Sequence, residues 1–289
     1  MDLQPGTIAI LFPGQGSHTP EMGDETRALR PDLVEHVTAV VGEDPFPLAG
    51  ESTRFAQPAI LCASLARWSS LAPAIAGTPI VALGHSLGEL GALVASGHLD
   101  ELDALTLAAE RGRLMAAAGR GGMVAVLGGS IEDATALADA HGLTVANDNA
   151  PGQVVLAGDD DATRAAARGA RGVGLRALRL DVTGAFHSPA MASARDGFVA
   201  ALAATRFREA TGIAFSPTTL APVHDPGDVL ATALTSPVRF REALLALDRA
   251  GVARFVETGP GEVLTKLVGR TLPTAVAAPH VLREIADVA

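Results

Sequence analysis

The stretch Ile80-Val81-Ala82-Leu83-Gly84-His85-Ser86-Leu87-Gly88 joins an apolar run to a helix-compatible one through a G-x-S-x-G turn. A strand that turns this sharply into a helix presents its central residue above the end of the strand, and the flanking glycines let neighbouring backbone approach where a Cβ would clash. The spacing predicts a strand over 79–83, a helix over 87–97, and an exposed Ser86 hydroxyl between them. Glycine and serine are also the ordinary residues of turns, so the pattern alone leaves a solvated hydroxyl as open as a nucleophile.

Around this turn, apolar strand-like runs alternate with helical patterns. Thr7–Phe12 (TIAILF) reads as a buried strand ending at Pro13-Gly14-Gln15-Gly16-Ser17, with helical patterns over 20–42, 56–75 and 101–118. Such alternation favours an α/β core around a parallel sheet. The texture changes at Gly119-Arg120-Gly121-Gly122. Strand-like runs at 123–127, 143–147, 153–157 and 175–182 enclose helical patterns at 131–141 and 160–171, and this βαββαβ order is that of a small ferredoxin-like subdomain. From Ser188 onward the chain reads as long helices with one short strand at 254–257.

Composition narrows the function classes. A net charge of −10 argues against general nucleic-acid binding, which needs clustered cations. No apolar run reaches the roughly 18 residues of a membrane span, and Met1-Asp2-Leu3-Gln4-Pro5 does not lead a basic segment into an apolar one, so a cytoplasmic chain without membrane attachment is expected. The single Cys62 lies in an apolar stretch, so one chain can form neither a disulfide nor a cysteine-based metal site. Lys266 is the only lysine, and Arg164, Arg168, Arg171, Arg176 and Arg179 crowd one short region. They form either a local basic face on an acidic protein or an ordinary solvated surface.

A serine hydroxyl needs a base to take its proton. Of eight histidines, His85 is adjacent to Ser86 and expected to point away from it. His187 follows a strand-like run at the point where the subdomain hands the chain back, and clefts form at such junctions. His224 and His280 have no comparable setting. The glycine turn after the first strand falls at the carboxyl edge of a parallel sheet, where its N–H groups can join that of Leu87 in holding a developing oxyanion. Arg111, on the second helix after the serine, is suited to a bidentate carboxylate contact or to a surface pair with a nearby glutamate.

Taken in order, FPGQGS, GHSLGE, RGRLM, FHS, SPVRF and ETGPG resemble the malonyl-coenzyme A:acyl carrier protein transacylases and the acyltransferases of polyketide synthases, over about Thr7 to Leu267. The resemblance implies a large α/β-hydrolase-like core, residues 1–121 and 188–289, with a ferredoxin-like subdomain inserted at 122–187. It implies Ser86 as the acylated nucleophile, His187 as its base, the N–H groups of Gln15 and Leu87 as the oxyanion hole, and the Ala233 carbonyl as the group that orients His187. Arg111 would hold the malonyl carboxylate, and Phe186 would favour malonyl over branched acyl groups. Coenzyme A thioester and acyl carrier protein are the implied partners, with no cofactor and no metal, in a monomer. Departures stand at His18 and Ala116, where the family commonly has glutamine, and the chain between Gly23 and Phe55 is short.

A first strand so near Met1 favours a discrete enzyme. Two other activities share the motifs: hydrolytic proofreading of carrier-bound acyl groups, and the transferase subunit of malonate decarboxylase. An α/β-hydrolase would explain GHSLG but leaves FPGQGS and RGRLM without a role.

Overall fold

In the computed structural model, which describes residues 1–279, the two apolar runs β1 (Ile8–Phe12) and β2 (Ile80–Gly84) pair in parallel at the centre of a six-stranded sheet. Side chains alternate along each strand and both faces are covered: Ala9, Leu11, Val81 and Leu83 enter one core, Ile8, Ile10, Phe12 and Ala82 another. Hence these strands read as unbroken apolar runs.

The amino-terminal helices are α1 (Met22–Leu29), α2 (Pro31–Val41) and α3 (Thr53–Ala74), and β2 leads into α4 (Gly88–Ala95) and α5 (Glu101–Ala117). The pattern read as one helix over 20–42 is two, because Pro31 disfavours a helical Arg30, which has φ −144° and ψ 71°. A second sheet follows, built from β3 (Gly122–Leu127), α6 (Ile131–His141), β4 (Thr144–Ala150), β5 (Gln153–Gly158), α7 (Asp160–Gly169) and β6 (Arg176–Arg179). Its strands lie antiparallel in the order β4-β5-β3-β6. Val124, Val126, Val154 and Leu156 face α6 and α7, while Met123, Val155 and Ala157 face the main helical core with Leu105 and Phe198. The second sheet is thus packed on both sides.

The chain then forms α8 (Ala192–Ala204), β7 (Ile213–Ser216), β8 (Ala221–Pro222), α9 (Pro226–Ala233), α10 (Phe240–Arg249), β9 (Arg254–Glu257), α11 (Val263–Thr271) and β10 (Val276–Pro279). The first sheet runs β10-β9-β1-β2-β7-β8, parallel except for β8, so it is a mixed sheet in an α/β fold. β7, β8 and β10 lie where the sequence reads as long helices. Two to four residues carry no usable periodicity, and it is pairing to β2, β7 and β9 that makes them strands. Among the described residues no helix is long and apolar enough to cross a membrane. His280 lies outside the described residues.

Candidate active site

Ser86 sits on a turn that the glycines around it make possible. A Cβ on Gly84 would stand 2.0 Å from the Gly88 carbonyl carbon, and one on Gly88 would stand 1.9 Å from the Phe12 oxygen, so α4 starts directly against β1 and β2 only because both positions lack side chains. Ser86 itself adopts φ +55°, a left-handed conformation uncommon outside glycine. The turn leaves it half-buried, facing a cavity of about 400 Å³ between the two sheets.

His187 meets it there. Ser86 Oγ lies 2.7 Å from His187 Nε2, although 101 residues separate them. The other ring nitrogen, Nδ1, faces two carbonyl oxygens, Ala233 at 2.8 Å and Ser236 at 3.2 Å. Carbonyls only accept, so Nδ1 carries the ring proton and Nε2 is left bare to accept from the serine hydroxyl. Ala233 ends α9, where helix carbonyls lack intrahelical partners, which is why one is free for the imidazole. The second carbonyl, from Ser236, has no counterpart in the sequence reading. His187 is only 4% exposed, and burial first, then the Arg111 charge, pushes its imidazole down to about 3. It therefore rests unprotonated, ready to accept.

Arg111 is buried beside this pair. Its Nη2 donates to Ser86 Oγ at 3.1 Å and its Nη1 to Gln57 Oε1 at 2.7 Å, while the nearby Glu110 pairs with Arg113 instead. Among the described residues Arg111 has no ion-pair partner, though it is 2% exposed. Burial pulls its guanidinium down to about 10, and the Glu89 charge opposes that. A buried cation with no direct ion pair among the described residues, 3.1 Å from a hydroxyl, has the chemistry to hold a small anion.

Gln15 and Leu87 line the same cavity, and neither backbone N–H has an acceptor among the described residues. The Gln15 side chain donates to Thr53 Oγ1 at 3.1 Å, in the first turn of α3. Phe186, 6% exposed, forms part of the wall. His85 turns to Asn149, its Nε2 2.8 Å from Oδ1, and its ring tilts on Phe240.

Gln57, which holds Arg111, and Asn147 and Asn149 on β4 likewise have no counterpart in the sequence reading. Asn147-Asp148-Asn149 are all buried, and β4 shifts register between Val145 and Asn147 and again between Asp148 and Ala150, a device that re-aims side chains. Three consecutive polar residues inside a strand were the available signal. Asp148 grips Arg241 of α10 through two carboxylate oxygens at 2.7 to 3.0 Å, fastening the second sheet to the segment that supports His187.

The arginine cluster does not form one face. Arg164 and Arg179 are tied to Asp160, close to Gly122 and the cavity side of the second sheet. Arg168, one helical turn past Arg164 on α7, Arg171 in the short helical turn that follows α7, and Arg176, paired opposite Leu127 at the far end of β3, form no ion pair among the described residues.

Comparison with known proteins agrees with this architecture. The family of the acyl transferase domain matches residues 24–287. The polyketide biosynthesis protein ThaF of Burkholderia thailandensis is 37% identical over 93% of this chain, which spans only 24% of that protein's length. The malonyl CoA-acyl carrier protein transacylase of Bacillus subtilis is 35% identical over 95% of both chains. Among solved structures, a malonyl-transacylase in complex with its type II polyketide-synthase acyl-carrier protein superimposes with a TM-score of 0.86 at 30% identity, covering 95% of this chain and 96% of that one. A match that spans the strand-turn-helix of Ser86, the Arg111 helix and the His187 junction places the chain in the acyl transferase domain family, to which it belongs.

Proposed function

We propose that this chain moves a malonyl group from coenzyme A to the phosphopantetheine thiol of an acyl carrier protein through an ester on Ser86. The observation that carries the reading is Arg111, a buried cation with no direct ion pair among the described residues that reaches the serine hydroxyl, placed where an acyl group with a free carboxylate would neutralise it. Its relatives named as malonyl transacylases support the same substrate.

The steps follow from the geometry. His187 Nε2 takes the Ser86 proton as Oγ attacks the thioester carbon, and the N–H groups of Gln15 and Leu87 hold the oxyanion. The imidazolium so formed is stabilised by the Ala233 carbonyl at the carboxyl end of α9. It returns the proton to the departing coenzyme A sulfur. In the second half-reaction His187 takes the proton of the carrier thiol, the sulfur attacks the Ser86 ester, and the proton goes back to Oγ. No cofactor enters. We read the two parts, 1–121 with 188–289 and 122–187, as an α/β-hydrolase-like core and a ferredoxin-like subdomain, in a monomeric cytoplasmic enzyme of polyketide or fatty acid biosynthesis.

Intact mass after incubation with malonyl-coenzyme A tests this reading. A malonyl adduct is expected to persist in buffer and to move to added carrier protein. An adduct that decays at the same rate with and without carrier would establish hydrolysis in place of transfer.

Phe186→Ala is expected to relax the preference for malonyl over methylmalonyl by about tenfold, the scale on which one methyl is discriminated in an apolar pocket. The ratio of kcat/KM for the two thioesters measures it, and an unaltered ratio removes Phe186 from the specificity wall. For the carrier, Arg168 and Arg171, both exposed and without ion pairs among the described residues, are the ones able to meet acidic side chains. Arg168→Glu with Arg171→Glu is expected to slow transfer to the carrier several-fold at low salt while self-malonylation is unchanged. Equal carrier kinetics in that variant would leave these arginines a solvating role only.

A further inference from the structure

The proposed mechanism leaves one buried acid of the site without a role. Glu89 stands in the first turn of α4, three residues past Ser86, and is 4% exposed. Its backbone N–H donates to the Ser86 carbonyl at 3.0 Å, so it forms part of the same turn. Its carboxylate reaches the other way. Oε2 accepts from Ser216 Oγ at 2.8 Å and Oε1 from Thr218 Oγ1 at 3.4 Å, at the end of β7 and in the turn that follows. The Thr218 N–H in turn donates to Ser216 Oγ at 3.1 Å. Between these two, the Pro217 carbonyl accepts from the Arg239 N–H at 3.0 Å, and Arg239 follows the Ser236 whose carbonyl faces His187 Nδ1. One carboxylate therefore links the turn that carries Ser86 to the segment that supports His187.

Burial drives the Glu89 carboxyl up to about 7, against the pull of Ser216, Arg111 and Thr218. An apolar side chain would fill such a place without the cost of burying an ionisable group. Ser86, at φ +55°, is held in a conformation that persists only where the surroundings over-determine it. We propose that Glu89 is a positioning residue for the Ser86–His187 pair, fastening the nucleophile turn to the β7–β8 connection so that Oγ and Nε2 stay within hydrogen-bonding distance.

The inference rests on Ser86 as nucleophile but not on malonyl or carrier. The test is accordingly the rate at which a neutral fluorophosphonate labels Ser86 in the full chain. Glu89→Ala is expected to label about tenfold more slowly, with kcat for malonyl transfer falling in parallel and KM for malonyl-coenzyme A unchanged within about twofold. Glu89→Gln, which can still bond both hydroxyls, is expected to recover most of the rate. Ser216→Ala leaves Glu89 in place and removes its shorter bond, and is expected to slow labelling about threefold even if Glu89→Ala does not fold. Labelling of folded Glu89→Ala or Ser216→Ala at the wild-type rate overturns the inference. Wild-type protein that resists the reagent overturns the assignment of Ser86 itself, and with it the inference.

Discussion

Ser86→Ala is expected to leave no malonyl adduct on the protein and to lower transfer by at least about 10³-fold, the scale seen when a nucleophile of a Ser-His site is removed. The hydroxyl touches both His187 Nε2 and Arg111 Nη2, at 2.7 and 3.1 Å, contacts that the other hydroxyls lining the cavity, those of Ser52, Thr53 and Thr183, do not make among the described residues. His187→Ala is expected to cost a similar factor in both half-reactions, because the same nitrogen takes the proton of the serine in one and of the carrier thiol in the other. Mass spectrometry of the intact chain, with thioester alone and then with carrier, separates the two halves. An adduct on Ser86→Ala would move the nucleophile elsewhere, and a His187→Ala variant slowed in one half only would assign the second proton transfer to another group.

Arg111→Ala is expected to change which acyl groups are accepted. Loss of a charge-assisted bidentate contact worth about 1.5 to 3 kcal/mol corresponds to a fall of roughly 10- to 150-fold in malonyl transfer, with acetyl and propionyl transfer level or raised. Equal losses for all three would make Arg111 a structural partner of Gln57, to which it donates at 2.7 Å. A second consequence concerns pH. The Arg111 charge is, after burial, the largest influence holding His187 down at about 3. A neighbouring cation disfavours the imidazolium, so its removal raises the basicity of His187, and the acid side of the acylation profile should shift to higher pH in the variant. The fluorophosphonate labelling rate against pH measures this without involving the carboxylate. An unshifted acid limb would mean that burial alone sets the imidazole.

Much of the fold was legible along the chain because the information was local and strong. The helix over 131–141 was read at its observed limits, since Ser130 and Asp133 form a reciprocal cap at one end and Gly142 takes a left-handed conformation at the other. β1, β2, β3 and β5 came from apolar runs that need both faces covered. β7 and β10 did not, because four residues in a parallel sheet are strands only by virtue of the neighbours they join.

The residues proposed for chemistry divide in the same way. Ser86 was visible in the glycines that flank it, because a turn that presses α4 against β1 excludes side chains at Gly84 and Gly88 whatever the rest of the chain does. His187 and Arg111 were candidates by setting and by family resemblance, and their contact with Ser86 depends on packing between segments 25 to 101 residues apart. Gln57 and Asn149 were not read, and Glu89 and Ser236, though they stand in GHSLGE and SPVRF, had no role of their own, since an amide, a carbonyl or a carboxyl declares no partner until a second segment folds against it. Turn geometry and burial periodicity are properties of consecutive residues and are written in their order, whereas the ring proton of His187, the burial of Arg111 beside Ser86 and the two-way reach of Glu89 arise from the packing of α9, α5 and β7 against the segments that carry His187, Ser86 and Glu89.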